Sequence, residues 1–519
     1  MKGLPAETDF VVIGAGIAGL RAAIELAAAG RVLVLSKKEI PNLKASDPKS
    51  DAAWLSDEDE LTLHLQDTLD AGDGLCNLAA VKLLFEEAPE RIEELLAWGK
   101  QSETKLTFGL ENAHSKSRVL HAQGESAGKE ILRILIEKLH SARHISVAPF
   151  TFTTSLLTDS GRIAGVSILD QKGVPQEITC SAVLVATGGC GQLYRDTTHS
   201  DTATADGIAL AVRAGAEVSD MEFVQFHPTA LYMKKVPRFL LSERLRAEGG
   251  YLRNFELDRF MAKYHPLAER APREIMLRAI VHEMEVSRAK DPFVYLDLTH
   301  MNPAVVEKHF PRIHAAFMAH NIDITEDVIP VRPAAQFSVG GVRTDLDGKT
   351  SVPGLFAAGE VASTGVHGAE RLPSNALLEG IVYGARAGKA MREVAKGTAK
   401  PGSEPQAAYS NGPVDTGVED LISQIQQLMW NEVGIVRTRQ GLQKAVKTLE
   451  EMKPKLEHPK TRRHHEAANL QLAATLVARS TLAREESRGA HYRMEYPDHD
   501  DKKFLKHSVV KGEGAVRFV

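Results

Sequence analysis

Residues 9–36 read DFVVIGAGIAGLRAAIELAAAGRVLVLS. Residues 9–13 are a short run rich in valine and isoleucine, as expected for a buried parallel strand. A glycine-rich turn at 14–19 opens an alanine-rich stretch with helical apolar spacing, and residues 31–36 form a second apolar run. This βαβ pattern, with GxGxxG at its first turn, predicts a Rossmann-like dinucleotide-binding domain.

The turn assigns a separate role to each of its glycines. Gly14 permits the tight turn, Gly16 lets the backbone approach a pyrophosphate, and Gly19 lets helix and strand pack closely. The candidate phosphate contacts are Gly14, Ala15, Gly16, Ile17, Ala18 and Gly19. An NAD site usually adds an acidic residue about 20 positions further on. Here the second strand ends in Ser36 and Lys37, which favours FAD.

Two later segments predict that the nucleotide domain is discontinuous. Residues 182–189 (AVLVATGG) and 354–360 (GLFAAGE) each read as an apolar strand followed by glycine, and Glu360 is placed to accept hydrogen bonds from a flavin's sugar-like chain. The predicted fold class is α/β, with a Rossmann-like FAD-binding domain at 1–227 and 338–397. An inserted α+β capping domain occupies 228–337, and a C-terminal helical domain follows at 415–519, ending in a tail predicted to be irregular.

Composition limits which binding partners and which cellular compartment are expected for this protein. The chain has 519 residues, a net charge of −5 and no basic field, so nucleic acid and anionic membranes are not expected partners. Its three cysteines show no CxxC spacing, which argues against a zinc site or a disulfide framework, and no metal is expected. Because no signal peptide or membrane helix is apparent, a cytoplasmic protein is expected.

Polar residues cluster at four places along the chain. The stretches are FVQFHPTAL (223–231), LLSERLRAEGG (240–250), AERAPREIMLRAI (268–280) and TGVHGAERLPSNALLEG (364–380). Each alone could be a solvated face, and His227 alone could be a satisfied core histidine. Arginines and histidines gathered beside a flavin would instead bind a dicarboxylate, because guanidinium groups grip carboxylates through paired donors.

At this point the motifs resemble those of the L-aspartate oxidases, within the succinate dehydrogenase and fumarate reductase flavoprotein family. The resemblance covers nearly the whole chain and includes VVIGAGIAGL, DTLDAGDGLCN (67–77), LAERAPRE (267–274), IPVRPAAQFSVGGV (329–342) and REESRGAHYR (484–493). It implies oxidation of L-aspartate to iminoaspartate by transfer of a hydride to FAD, in NAD biosynthesis. Oxygen or fumarate would reoxidise the flavin, and quinolinate synthase would be a partner that takes the product.

The resemblance also implies roles for individual residues. His227 and Arg371 would hold substrate carboxylates with a hydroxyl from Ser242, Arg273 would exchange a proton with the substrate, and Glu243 and Arg246 would relay it. His367 and Gln336 complete the implied substrate set, and Arg488 and His491 lie in the C-terminal motif near the site. Beyond the first turn, the implied flavin contacts are Ser36, Lys37, Thr153, Asp206, Gly359, Glu360, Ser374, Asn375, Ala376 and Leu377.

Two features bear on the subfamily. Covalent members tether flavin through a histidine after the second strand, and residues 36–53 contain none, so the FAD would be non-covalent. Glu111, in LENAHSKSRVLH (110–121), matches the acid that recognises the α-amino group in aspartate oxidases. A cationic amine calls for such a carboxylate, whereas succinate does not.

The chain also departs from the family pattern. The glycine-rich loop expected at 40–53 is replaced by IPNLKASDPKSDAA, Gln336 replaces a substrate histidine, and Ala247 replaces a glycine. Glu370 replaces an asparagine beside Arg371, which it is expected to neutralise; TTHS (197–200) and TADG (204–207) differ as well. Three hypotheses therefore stay open: an L-aspartate oxidase, a fumarate reductase or other dicarboxylate or amino-acid flavoenzyme, and a non-catalytic relative with impaired flavin binding.

Overall fold

The computed structural model describes residues 4–40, 52–53, 58–99, 106–109, 115, 119–122, 127–233, 238, 240–241, 243–394 and 416–519. The strands are β1 (Phe10–Ile13), β2 (Val32–Leu35), β3 (Ala52–Ala53), β4 (Leu106–Gly109), β5 (Val119–Ala122), β6 (Ile145–Ala148), β7 (Phe152–Asp159), β8 (Arg162–Leu169), β9 (Pro175–Thr179), β10 (Ala182–Val185), β11 (Glu217–Ser219), β12 (Val224–Leu231), β13 (Tyr251–Arg253), β14 (Val294–Asp297), β15 (Ile329–Ser338), β16 (Gly341–Arg343), β17 (Leu355–Ala357), β18 (Ala362–Ser363), β19 (Ser508–Lys511) and β20 (Arg517–Phe518).

Helices lie between some of these strands. The α-helices are α1 (Ile17–Leu26), α2 (Glu58–Ala71), α3 (Leu78–Trp98), α4 (Ala127–His140), α5 (Asp206–Arg213), α6 (Glu243–Ala247), α7 (Arg273–Val286), α8 (Pro303–His309), α9 (Pro311–Met318), α10 (Asn375–Arg392), α11 (Thr416–Glu432), α12 (Arg439–Met452), α13 (Arg462–Ala483) and α14 (Asp501–Phe504). Short 3₁₀ turns lie at Gly191–Leu193, Met261–Lys263, Ala268–Arg270 and Lys453–Leu456.

A five-stranded sheet in the order β17-β10-β1-β2-β6 forms the centre of the nucleotide-binding part. All four of its pairings are parallel, and every residue of β1, β2, β10 and β17 is buried. Strands covered on both faces read as continuous apolar runs, which explains why the sequence pattern located them. The predicted α/β class with a Rossmann-like domain is confirmed.

The first turn is built around glycine for steric reasons. Gly14 has φ +115°, and a Cβ there would lie 2.1 Å from the Ala186 carbonyl oxygen. A Cβ on Gly19 would lie 2.0 Å from the carbonyl oxygen of Gly14. No side chain fits at either position, so the helix can follow the strand this closely only with glycine in both places.

Helix α10 packs along α1 through a stripe of glycines spaced by four residues. A Cβ on Gly384 would lie 2.6 Å from the Ala18 carbonyl oxygen, and one on Gly388 would lie 2.8 Å from that of Ala22. Residues four apart share a helix face, so this stripe lets the two backbones approach each other. The start of α10 is thereby fixed beside the glycine-rich turn.

The insertion is built on a four-stranded antiparallel sheet in the order β12-β15-β14-β13. Helices α6 to α9 accompany this sheet, and their apolar faces share a core with it. The predicted limits of the capping domain, 228 and 337, both fall inside strands of this sheet, within β12 and β15. The two long strands thus continue from the nucleotide-binding part into the insertion.

The C-terminal part contains the helices α11, α12 and α13, followed by strands. The tail predicted to be irregular forms α14 and β19, and β19 pairs antiparallel with β11 of the nucleotide-binding part. Arg484 and Glu222, both fully buried, form an ion pair at 2.7 Å across this junction. The prediction of an irregular tail was wrong because strand pairing with β11, a distant partner, orders it. Among the described residues no helix has the length and apolar character needed to span a membrane.

Candidate active site

A cavity of about 900 Å³ lies where distant parts of the chain meet. Its lining comes from the end of α2, from α6 and the start of α7, from the loop before α10, and from the segment after α13. The lining includes eight charged residues of the predicted clusters: Glu243, Arg246, Arg270, Arg273, Glu274, Arg278, Glu370 and Arg371. The fold therefore gathers into one space residues that the sequence places in three separate stretches.

Arg273 is the first residue of α7 and is held by Glu243 of α6. Its Nε and Nη2 atoms lie 2.9 and 2.8 Å from Glu243 Oε1. Burial alone would raise the pKa of Glu243, but the charges of Arg273, Arg246 and His227 and the hydrogen bond from Arg273 hold the pKa at about 2. Glu243 is thus an anion that orients the guanidinium.

Arg246 continues this line of contacts away from the cavity. It is buried on α6, and its Nη1 donates to Thr229 Oγ1 at 2.6 Å while its Nη2 lies 3.8 Å from Glu243 Oε1. Burial lowers the pKa of Arg246, the charge of Arg273 lowers it further, and Glu243 opposes both. Arg273, Glu243, Arg246 and Thr229 therefore form a continuous polar chain that ends on β12.

His227 lies on β12 at a break in the strand ladder. It pairs with Ala334, and the next paired residue is Ala230, so Pro228 and Thr229 form a bulge. The bulge turns the Thr229 N–H onto His227 Nδ1 at 3.2 Å, and the neutral ring then carries its proton on Nε2. Burial lowers the pKa of His227 to about 3, although Glu243 opposes the shift. His227 is therefore an uncharged hydrogen-bond donor.

Arg371 is held by Gln225, which precedes His227 by two positions on β12. Arg371 Nη2 donates to Gln225 Oε1 at 3.0 Å, and Gln225 Nε2 donates to the Arg371 carbonyl at 2.9 Å. The guanidinium also stacks over the Phe337 ring at 4.4 Å. Gln225 was not among the predicted residues, although the two-residue period of a strand places it on the same face as His227.

Glu370 lies beside Arg273 in the cavity. Its Oε1 is 3.8 Å from Arg273 Nη1 and accepts a hydrogen bond from Gln225 Nε2 at 3.2 Å. Burial raises the pKa of Glu370, although the charge of Arg273 opposes the shift. The expectation that Glu370 neutralises its neighbour Arg371 followed sequence adjacency, whereas the turn of the loop directs the carboxylate toward the start of α7.

Gln336 and His367 occupy different surroundings. Gln336 is the extra residue of β15 at a second bulge, opposite Gln225 and Phe226, and its buried Oε1 accepts no hydrogen bond from the described residues. His367 Nε2 lies 3.0 Å from Glu379 Oε2, and its ring packs edge-on against Phe337. His367 is thus placed with α10, in contrast to Arg371 of the same loop, which reaches the cavity.

The motif after α13 supplies another wall of the cavity, which Arg488 and His491 both line. Arg488 is paired with Glu486 at 2.8 Å and donates to the Asp73 carbonyl. His491 Nδ1 lies 2.7 Å from Arg437 Nη1, and burial, reinforced by nearby arginines, holds the pKa of His491 well below its usual range.

Some predicted residues lie outside the described part of the chain. Ser242 and Glu111 belong to this group, as does most of the unusual loop at 40–53. Their predicted roles stay predictions. Among the residues that are described, no group of three or more histidine, cysteine or acidic side chains could hold a metal ion.

The predicted nucleotide site lies at the carboxyl edge of the central sheet. Gly16 precedes α1 there, and a Cβ on it would meet nothing within 4 Å, in contrast to its neighbours Gly14 and Gly19. The open space at this helix N-terminus is what a bound pyrophosphate requires. Thr153 Oγ1 is buried without a hydrogen-bond partner among the described residues. The residues present therefore fit the FAD that the sequence predicts.

Most of the other predicted FAD residues lie at two places, just after β17 and at the start of α10. Glu360 accepts from the Ser338 N–H at 2.8 Å, and Gly359 has φ +75°. Ser374 has φ +70° just before α10, which places Ala376 and Leu377 in a first turn whose N–H groups lack helical acceptors. The Asn375 amide donates to Thr68 Oγ1, a contact inside the fold.

Ser36 and Lys37 follow β2, and the Lys37 side chain takes part in an ion cluster. Its Nζ donates to Asp206 Oδ2 at 2.6 Å and to Glu466 Oε1 at 3.1 Å. Asn469 of α13 also donates to Asp206, at 2.8 Å. The side chains of Lys37 and Asp206 thus join the nucleotide-binding part to α13, so FAD contacts from this pair would come from their backbone.

Comparisons with known proteins agree with this geometry. A family described as FAD binding domain matches residues 9–377, and one described as fumarate reductase flavoprotein C-term matches residues 422–518. L-aspartate oxidase 1 of Ralstonia nicotianae is 40% identical over 94% of this chain and 95% of its own. L-aspartate oxidase of Streptomyces coelicolor is 40% identical over 97% of this chain and 91% of its own.

Solved structures show the same architecture. Mycobacterium smegmatis Sdh1 superposes with a TM-score of 0.84 at 31% identity, covering 99% of this chain and 93% of that one. A point-mutant form of FrdA from E. coli quinol fumarate reductase gives a TM-score of 0.86 at 28% identity, covering 99% and 96%.

Proposed function

The chain belongs to the L-aspartate oxidase family of flavoproteins, and we infer from this that it catalyses the FAD-dependent oxidation of L-aspartate to iminoaspartate. This reaction is the first step of NAD biosynthesis through quinolinate. We place the reaction in this cavity because two arginines, Arg273 and Arg371, line it. Their guanidinium groups are already oriented by Glu243 and Gln225.

The two arginines suit a substrate with two carboxylates. Each guanidinium offers several donors in a planar fork, and fixing it in advance reduces the entropy that binding would otherwise cost. The Nε2–H of neutral His227 can add one more donor without adding charge. We assign substrate binding to Arg371, Arg273 and His227.

Oxidation of the α-carbon removes two electrons and two protons from the Cα–N unit of the substrate. Bound FAD supplies the acceptor for the electrons. We assign proton transfer to the chain of Arg273, Glu243 and Arg246, because their side chains are in succession and Arg273 lines the cavity. Burial of Arg246 lowers its pKa, which eases release of a proton along this chain.

The proposal also covers flavin reoxidation, the fate of the product and the cellular compartment. Oxygen or fumarate reoxidises the flavin, and quinolinate synthase takes up the unstable product. The enzyme works in the cytoplasm, which suits three scattered cysteines without disulfide spacing. Relatives from rice and Arabidopsis are named chloroplastic, so the compartment differs within the family.

The visible spectrum of the purified protein tests the proposed function. A yellow protein should bleach when L-aspartate is added without oxygen and should keep its colour with succinate. Fumarate added afterwards should restore the colour if it serves as acceptor. A yellow protein that does not respond to L-aspartate would refute the substrate, and a protein that cannot be loaded with FAD would favour the non-catalytic alternative.

A further inference from the structure

Glu360, which is predicted to contact FAD, has a histidine beside it that the roles assigned so far do not use. Glu360 follows Gly359, and a Cβ on Gly359 would lie 2.9 Å from the Cβ of Ala18 in the glycine-rich turn. The Glu360 carboxylate therefore lies next to the predicted pyrophosphate site. His199 Nε2 is 3.3 Å from Glu360 Oε1. This histidine belongs to TTHS (197–200), where the chain departs from the family pattern.

Two glycines leave the space that this pair of side chains fills. A Cβ on Gly189 would lie 2.2 Å from Glu360 Oε1, and a Cβ on Gly191 would lie 2.1 Å from His199 Nδ1. No side chain fits at either glycine while the pair stays in place. His199 Nδ1 is buried and makes no hydrogen bond to a described residue. Because a buried N–H without an acceptor is costly, the ring proton belongs on Nε2, which faces the carboxylate.

The loop that carries His199 is fixed on β15. Thr197 Oγ1 donates to the Ala335 carbonyl at 3.0 Å, and the His199 N–H donates to Thr197 Oγ1 at 3.1 Å. The same strand ends at Ser338, whose N–H donates to Glu360 Oε1 at 2.8 Å. His199 and Ser338 thus approach one carboxylate oxygen from two directions, and β15 holds both of them.

Two contacts on one oxygen restrict the carboxylate of Glu360 more than one contact does. A single donor lets the group turn about that contact, whereas donors from two directions fix the orientation of both oxygens. Oε2 accepts no hydrogen bond from the described residues. The sugar-like chain of FAD carries hydroxyl groups that can donate to such an oxygen. An acceptor that is oriented in advance lowers the entropy cost of binding.

We propose that His199 is a positioning residue for the cofactor: it holds the Glu360 carboxylate in the orientation in which it accepts hydrogen bonds from FAD. This inference rests on the proposed function, because it requires FAD as the cofactor and Glu360 as one of its contacts. In the described part of the chain, His199 is not among the residues that line the substrate cavity. The effect of His199 is therefore expected on the affinity for FAD.

The test measures the Kd for FAD by titrating the apoprotein and following flavin fluorescence. His199→Leu removes the donor, and the Kd should rise about tenfold, as expected for one hydrogen bond to a charged group. His199→Gln places an amide N–H within reach of Glu360 and should keep the Kd within about twofold of the wild-type value. An unchanged Kd in the Leu variant, or equal losses in both variants, overturns the inference.

A double-mutant cycle with Glu360→Ala shows whether His199 acts through the carboxylate. His199→Leu should change the Kd little once Glu360 is absent, and a loss of the same size in both backgrounds overturns the inference. Gln192→Ala is the matched control, because Gln192 Nε2 donates to the Ser200 carbonyl at 3.1 Å and so holds the same loop. The Kd of this control should stay near the wild-type value, and a loss as large as that of His199→Leu also overturns the inference.

Thermal unfolding of the apoproteins shows whether each variant folds. If His199→Leu does not fold, His199→Asn takes its place, since the shorter amide cannot reach Glu360 and should weaken FAD binding where His199→Gln does not. A wild type that takes up no FAD, or whose flavin L-aspartate does not bleach, contradicts the proposed function itself. A wild type that does both, with a His199→Leu variant of equal Kd, contradicts only the role of His199.

Discussion

The nucleotide edge and the substrate cavity use charged side chains in opposite ways. At the nucleotide edge, Lys37, Asp206 and Glu466 bind one another, and the cofactor site is shaped by backbone around Gly16. In the cavity, Arg273 and Arg371 contribute to the lining with side chains that Glu243 and Gln225 orient. A site made of backbone depends on glycine spacing, whereas a site made of side chains depends on which distant segments meet. Substitutions should therefore separate cofactor binding from catalysis.

The largest expected effect is the loss of turnover when Arg273 in the cavity is replaced. Arg273→Leu should lower kcat by about a thousandfold, because it removes a donor to the substrate and leaves the buried Glu243 without its main partner. Flavin content should stay at the wild-type level, as measured by absorbance. Arg270→Leu is the control, since Arg270 lines the same cavity but is exposed. A parallel loss of flavin in Arg273→Leu would contradict the separation.

The glycine turn should show the reverse behaviour. Gly16→Val should weaken FAD binding by roughly 100-fold by filling the space kept for the pyrophosphate, with little change in the melting temperature of the apoprotein. Gly19→Ala should destabilise the fold itself by about 1–3 kcal/mol, because its Cβ would meet the Gly14 carbonyl. Flavin titration and thermal unfolding of the apoproteins distinguish the two. Equal unfolding behaviour would contradict the assigned roles.

Acid should weaken the cavity region through His227. Its pKa is about 3 in the folded protein against an ordinary value of 6.5, so the unfolded chain takes up a proton first as pH falls. The contribution of His227 to the free energy of unfolding is fully present above pH 6.5 and decreases as the pH falls toward 3. At pH 4.5 the loss should be about 2–3 kcal/mol, and it should be absent in His227→Gln. Denaturant unfolding at pH 7 and 4.5 measures the difference, and equal losses in both proteins would argue against a buried neutral ring.

The smallest effect should be on substrate affinity. His227→Ala should raise the KM for L-aspartate about tenfold, as expected for one neutral hydrogen bond in a buried site, and should leave flavin content unchanged. His499→Ala, at the cavity lining and paired with Asp73, should change KM little. The KM of the wild type should show no inflection from His227 between pH 5 and 8. A strong inflection that His227→Ala removes would mean that the ring is charged when it binds substrate.

The features that could be predicted from the sequence are those that local rules determine. Buried strands and the turn glycines follow from apolar runs and spacing, and they are found where the pattern places them. The contact between Glu370 and Arg273 follows from the path of a loop, so sequence adjacency pointed to Arg371. The ion cluster of Lys37 needs α13, more than 400 residues away, and β19 needs β11. No local signal encodes such partners.

The junction of β11 with β19 has a consequence for synthesis of the enzyme. Glu222 is buried against Arg484, and the cavity wall includes residues 487–489 and 491–492, so the nascent chain cannot complete its active site until these segments have left the ribosome. An earlier stop would leave Glu222 without its buried cation, and β11 would keep β16 but lose β19, its partner on the other side. Such fragments should be recognised by proteases and removed before they can hold a flavin that reacts with oxygen outside a formed site.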